Sequence, residues 1–298
     1  MSTLPIERPV ESEAPARSPI SMGTLAAMKH HGSPITMVTA YDHPSASVVE
    51  AAGVDMILVG DSAAMVVLGH DSTVPITMDE MIMLSAAVRR GAKTPFIVGD
   101  MPFGSYEASN ELAVANAQRF IKEAGCDAIK LEGGGTSAER AAAIVNAGIP
   151  VVGHIGLTPQ TATALGGYKA QGKTTEAAQS VIADAERLDA AGCFAIVIEC
   201  VPAAVTELIT QRVNAITIGI GAGPTTSGQV LVYHDLLGLR EGRDAKFVRR
   251  YADLRETAVR AVASYVADVQ SGSYPGPEHV YAIEPGELSG VQRSLSND

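Results

Sequence analysis

Four carboxylates carry the chemistry in this sequence, and each stands at the end of a short apolar run. Asp61 follows Met56-Ile57-Leu58-Val59-Gly60, Asp100 follows Phe96-Ile97-Val98-Gly99, Glu132 follows Ala128-Ile129-Lys130-Leu131, and Glu199 follows Ala195-Ile196-Val197-Ile198. Brief runs rich in β-branched and aliphatic residues read as buried strands, so each acid is delivered by a strand end. Taken singly, Asp61 or Asp100 could equally cap the following turn. Taken together, several carboxylates in one cleft repel one another unless a cation lies among them. An all-oxygen set without a nearby Cys or His pair suits a hard ion, most simply Mg²⁺, which keeps positions open for water or an oxyacid substrate.

Lys130 and Glu132 are two apart on one predicted strand, so both face the same side while Ile129 and Leu131 face the other. An ammonium there binds a substrate carboxylate, stabilises an enolate oxygen, or forms an interior salt bridge with no catalytic part. Glu199, between Ile198 and Cys200, reads as the general base, because burial moves a glutamate pKa toward neutrality. Its competing role is that of a buried acid paired with Lys130. His154 also ends a predicted strand, where a hydrogen-bonded structural role is expected, and His70 and Asp71 fit either loop bracing or substrate contact.

The elements that must position these groups alternate. Strands are predicted at 36–40, 56–59, 95–99, 128–132, 150–154, 195–199, 216–219 and 230–233, with helices between most of them. Gly53, Gly91, Gly125, Gly148 and Gly192 supply the stops. Thr136 and Glu139 have the spacing of a capping box, and Pro202 suits a helix start. The loop GLTPQTATALGGYKAQGK after the fifth strand is long and glycine-rich, as expected of a mobile cover, and a last amphipathic helix is predicted over 246–269. Eight strands with intervening helices make a (β/α)₈ barrel, whose strand C-termini converge on one mouth. An open doubly wound sheet would need a dinucleotide or switch-point signal, and no GxGxxG opens a helix here.

Bulk properties narrow the partners. The 298 residues carry a net charge of −11 with no basic block, which argues against nucleic acid and anionic membrane surfaces and for small molecules. No apolar run is long enough to span a membrane and the N-terminus has no signal-type core, so a cytoplasmic protein is expected. Cys126, Cys193 and Cys200 lack metal-type spacing and read as buried thiols, Cys200 lying beside the site. Residues 1–20 read as a flexible arm, 21–279 as the barrel domain and 280–298 as a tail.

The segments LVGDS, GHDSTVPIT, RRGAKTPFIVGDMPFGSY, AIKLEGG, VVGHIGLTPQ, GGYKAQGK, IVIECVP, IGIGAG and GQVLVYHD, in this order, resemble the ketopantoate hydroxymethyltransferase family from about Thr24 to His279. The resemblance implies a barrel of the phosphoenolpyruvate mutase and isocitrate lyase type that assembles as a decamer. It also implies transfer of a one-carbon unit from 5,10-methylenetetrahydrofolate to 3-methyl-2-oxobutanoate, giving 2-dehydropantoate. Matched to the family's motifs, Asp61, Asp100 and Glu132 become Mg²⁺ ligands, Ser62 and Lys130 with both aspartates become keto-acid contacts, and Glu199 becomes the proton acceptor. Rivals are another Mg²⁺-dependent lyase or mutase of the same group, whose KKCGH-like cysteine loop is absent here; a Schiff-base aldolase using Lys130; and a catalytically dead scaffold.

Overall fold

The computed structural model describes residues 17–242 and 244–296. Eight parallel strands close into a barrel in chain order: β1 (Ile35–Thr39), β2 (Met56–Val59), β3 (Phe96–Asp100), β4 (Ala128–Glu132), β5 (Val151–Gly156), β6 (Ala195–Glu199), β7 (Ile216–Ile220) and β8 (Gly228–Leu231). Closure comes from β8 pairing back on β1, with Ile35 opposite Gly228. The eighth strand thus starts two residues earlier than its apolar pattern suggests, because β1 extends the pairing down to Gly228.

Helices α1 (Met22–His30), α2 (His43–Ala51), α3 (Ala63–Val66), α4 (Met78–Gly91), α5 (Asn110–Lys122), α6 (Ser137–Asn146), α7 (Thr175–Ala190), α8 (Ala203–Thr210) and α9 (Tyr233–Leu236) accompany the strands. Their starts are chemically marked: Asp42 with Ser45 and Thr77 with Glu80 close reciprocal caps, and Ser109 and Thr174 accept from the third backbone N–H of their helices. Thr136 does not follow its spacing. Its backbone is already helical and its side chain makes no cap, so the expected capping box with Glu139 is not formed.

Two compact units divide the chain, Leu237–Leu239 with residues from Arg250 onward forming the second and the barrel the first. The second unit gathers residues that the sequence pattern divides between barrel and tail. It holds α10 (Leu254–Ser271), which begins at Leu254 rather than 246 and ends on Gly272 in the left-handed region at φ 73°, and α11 (Pro285–Leu295). Neither helix contains a buried residue.

Of the predicted arm, residues 1–16 lie outside the described residues. Residues 17–20 are tied to the barrel, with the Arg17 guanidinium on Asp55 and on the Val54 carbonyl at 3.1 Å, and the Ile20 amide on the Thr94 carbonyl at 2.8 Å.

Strand alternation splits the apolar residues into two cores. Phe96, Val98, Ala128, Ala195 and Val197 face the barrel interior with Leu25 of α1, whereas Ile97, Ile129, Leu131, Ile196 and Ile198 face the helices. The same alternation puts Lys130, Glu132, Asp100 and Glu199 on the interior side.

Candidate active site

Asp100, Glu132 and Glu199 are the last residues of β3, β4 and β6, and Asp61 lies two residues past β2. With Ser62 and Lys130 they line one cavity of about 480 Å³, a volume within the range of small-ligand sites. The strand-end acids, well separated in sequence, are therefore brought together, as are the serine and lysine expected beside them.

Close approach needs a glycine before Asp61. A Cβ on Gly60 would stand 2.8 Å from the Ser62 hydroxyl, and the bare backbone lets the Asp61 amide donate to Asp100 Oδ2 at 3.0 Å. Ser62 is held in turn by the Tyr41 hydroxyl at 2.9 Å, and Tyr41 is buried. Gly156, at φ 90°, serves β5 in the same way: a Cβ there would stand 2.2 Å from the Glu199 carbonyl oxygen, which accepts from the Leu157 amide at 2.9 Å.

Electrostatics separate the acids. Lys130 Nζ is 2.8 Å from Asp100 Oδ1 and 3.7 Å from Glu132 Oε1, not paired with Glu199. Burial disfavours the Lys130 charge, but Asp100, Glu132 and Asp61 outweigh it and hold its pKa above the ordinary value. Burial, then repulsion from Asp100 and Glu132, pushes Asp61 well above the usual carboxylate range. Burial also raises Asp100, against the pull of Lys130. Glu132 falls the other way: burial opposes ionisation, yet His154, Lys130 and the Gln160 amide together lower its pKa.

Glu199 is the least enclosed of the four, its side chain 16% exposed against 2% for Asp100 and Glu132, so the full burial expected of it is not reached. It meets His154 Nε2 at 3.2 Å, while His154 Nδ1 is 3.2 Å from Glu132 Oε1. Burial and Lys130 depress the imidazole, but its hydrogen bonds to Glu132 and Glu199 prevail and raise its pKa to about 9. His154 is thus the bridge between two acids, a role beyond the structural one its sequence suggests. The signal was present in register, since Glu132 pairs with His154 across β4 and β5.

His70 and Asp71 are exposed and lie outside the cavity wall. Thr73, from the same loop, lines it instead, 2% exposed and with no hydrogen-bond partner for its hydroxyl among the described residues. Cys200 lines the cavity too, at φ 51°, whereas Cys126 and Cys193 are buried elsewhere.

The donors suit a hard cation. Asp61 is disfavoured as an anion by burial and its like-charged neighbours, and Asp100 Oδ1 is buried without a hydrogen bond of good geometry among the described residues. Among the described residues no three His, Cys, Asp or Glu side chains already stand as a metal cage. A closed cage is not what Mg²⁺ requires, since it binds through one or two carboxylates and completes its shell with water and substrate.

Residues 19–277 match the model of the ketopantoate hydroxymethyltransferase family. The 3-methyl-2-oxobutanoate hydroxymethyltransferase of Carboxydothermus hydrogenoformans is 53% identical over 272 residues, covering 91% of this chain and 99% of its own. That of Geobacillus kaustophilus is also 53% identical, covering 87% and 93%. Among solved structures, a phosphoenolpyruvate phosphomutase from Streptomyces platensis subsp. rosaceus superposes with a TM-score of 0.59 at 15% identity, covering 93% of this chain and 98% of that one. A 2,3-dimethylmalate lyase, a member of the PEP mutase/isocitrate lyase superfamily, gives 0.55 at 14% identity, with coverage of 93% and 97%. The likeness to both is one of fold, a closed eight-stranded parallel barrel.

Proposed function

The chain belongs to the ketopantoate hydroxymethyltransferase family, and from that premise we propose that its cavity enolises 3-methyl-2-oxobutanoate and joins its C3 to the methylene carbon of 5,10-methylenetetrahydrofolate, water supplying the hydroxyl and tetrahydrofolate leaving. The product is 2-dehydropantoate, on the route to pantothenate and coenzyme A. One observation carries the reading: a mutually repelling acid set, a buried lysine and one partly accessible, imidazole-held carboxylate share a single cavity.

In this reading Asp61, Asp100 and Glu132 hold Mg²⁺. Such an ion would supply Lewis acidity, under which the C3–H of the keto acid becomes more acidic. Glu199 takes that proton, directly or through one water. His154, its Nε2 3.2 Å from Glu199 Oε2, stands beside that carboxylate oxygen and leaves the other one for the proton. Lys130 faces the oxyanion that develops as the proton leaves, and Ser62, held by Tyr41, contacts the keto acid. A cavity of about 480 Å³ matches sites for ligands larger than a five-carbon acid, which supports a folate arm entering beside it.

We place the reaction in the cytoplasm; among the described residues no helix is long and apolar enough to cross a membrane. The working form is read as a homo-oligomer, the family's decamer. On α10, Val259, Val262, Val266 and Val269 are 44–61% exposed at helical spacing, an apolar stripe that a second copy of the chain would cover. Sedimentation of the full chain tests this, a monomer at micromolar concentration being the contrary result.

Enolisation is tested by following the C3 proton of 3-methyl-2-oxobutanoate in D₂O by NMR. Mg²⁺-dependent exchange that drops by about 10²- to 10⁴-fold in Glu199→Gln is expected. Absence of exchange in the folded wild type, with Mg²⁺ and folate supplied, would move the assignment to another substrate or base.

A further inference from the structure

Gln160, on the short 3₁₀ turn Pro159–Thr161 that follows β5, is 5% exposed and touches both ends of the acid set. Its Nε2 donates to Asp61 Oδ2 and to the Met101 carbonyl, each at 2.9 Å. Its backbone amide donates to Glu132 Oε2 at 3.0 Å. Its Oε1 accepts from the Tyr106 hydroxyl at 2.5 Å, and that hydroxyl also accepts from the Glu132 amide at 3.2 Å. Tyr106 is itself 2% exposed.

Both amide hydrogens and the amide oxygen are therefore engaged, and the tyrosine fixes which end of the amide faces Asp61. One oxygen of Asp61 and one of Glu132 are tied to the same residue, which leaves Asp61 Oδ1 for the cavity, while Glu132 Oε1 faces His154 Nδ1 at 3.2 Å. This tie crosses the ends of β2 and β4, which carry those acids, and the loops after β3 and β5. Without it two like-charged side chains would be free to turn apart.

We propose that Gln160, locked by Tyr106, is a positioning residue that sets the affinity of the acid set for its divalent cation. The inference rests on the reading of Asp61 and Glu132 as cation ligands. Outer hydrogen-bond partners of metal ligands typically govern affinity by about 10- to 100-fold. Gln160 does so for two ligands at once, through the side chain for one and the backbone for the other.

The test is direct titration of the full chain with Mn²⁺, free ion being read by electron paramagnetic resonance with neither keto acid nor folate present. For Gln160→Met, which keeps the volume and the backbone amide, the dissociation constant is expected to rise about 10- to 100-fold. C3-proton exchange should return close to the wild-type rate once Mg²⁺ is saturating. Tyr106→Phe, which leaves the glutamine but frees its amide, should rise by less, and it carries the test if Gln160→Met does not fold. A purely structural part for Gln160 predicts a lower melting temperature with cation affinity unchanged, and that result in a folded variant overturns the proposal. Failure of the wild type to bind Mn²⁺ overturns instead the reading of the acids as ligands.

Discussion

At the N-terminal end of the barrel Phe96, Ala128 and Ala195 point inward and pack with Leu25; four residues along the same strands, the same inward rank is Asp100, Glu132 and Glu199. Between the two layers stand Val98, Lys130 and Val197. Which side a residue faces is decided by parity along the strand, and which chemistry it meets by height. The lower end is an apolar plug closed by α1, whose Lys29 ammonium caps the Asn214 and Ala215 carbonyls at 2.6 and 2.8 Å. Apart from such caps, that end is held by apolar burial, which needs no partner-by-partner matching. The upper end buries charges that are tolerable only because each has a counterpart: Lys130 for Asp100, His154 for Glu132 and Glu199, Gln160 for Asp61. The lower end is stabilised by packing and the upper by matched polar partners, and the reactive groups stand at the upper end.

Removing a counterpart at the upper end should cost most. Lys130→Met leaves a cluster of buried carboxylates without its cation and is expected to lower unfolding free energy by about 3–5 kcal/mol, measured by urea denaturation. Added Mg²⁺ should restore part of the loss, since it supplies the missing positive charge; no response to Mg²⁺ would separate the stability role of Lys130 from any cation site. At the lower end Leu25→Ala should cost about 2–5 kcal/mol by leaving a cavity, with the C3-exchange rate per folded molecule unchanged. A large fall in that rate would mean the two ends are coupled rather than independent. The smallest effect is expected at Thr73, whose buried hydroxyl has no partner among the described residues. Thr73→Val should be neutral or stabilising by about 1 kcal/mol, because an unsatisfied buried group is removed. The Michaelis constant of one substrate should nevertheless rise, because Thr73 lines the cavity. A clear loss of stability would show instead that the hydroxyl is already bonded.

Much of this was readable before any coordinates. The repeated apolar run ending in an acid marked β2, β3, β4 and β6, and the glycine stops marked most helix ends. The readings that differ have specific causes. Thr136 has the right spacing for a capping box, but its backbone has already turned helical. The start of β8 is drawn down to Gly228 by pairing with β1, a partner nearly the whole barrel away in sequence. His154 reads from sequence only as a hydrogen-bonded structural residue, and Gln160 is not singled out at all, because their importance is relational: a lone strand-end histidine and a loop glutamine acquire meaning only beside Glu132, Glu199 and Asp61.

Order along the chain therefore determined which residues sit on strands, which side they face, and that acids end those strands, because hydrophobic period and turn chemistry are local properties. Barrel closure decided the rest. It chose Asp100 rather than Glu199 as the partner of Lys130, set an imidazole between two carboxylates, and tied Asp61 to a glutamine 99 positions away. Such pairings depend on distances of about 3 Å between side chains from different strands, and only the closed sheet, by fixing register, sets those distances.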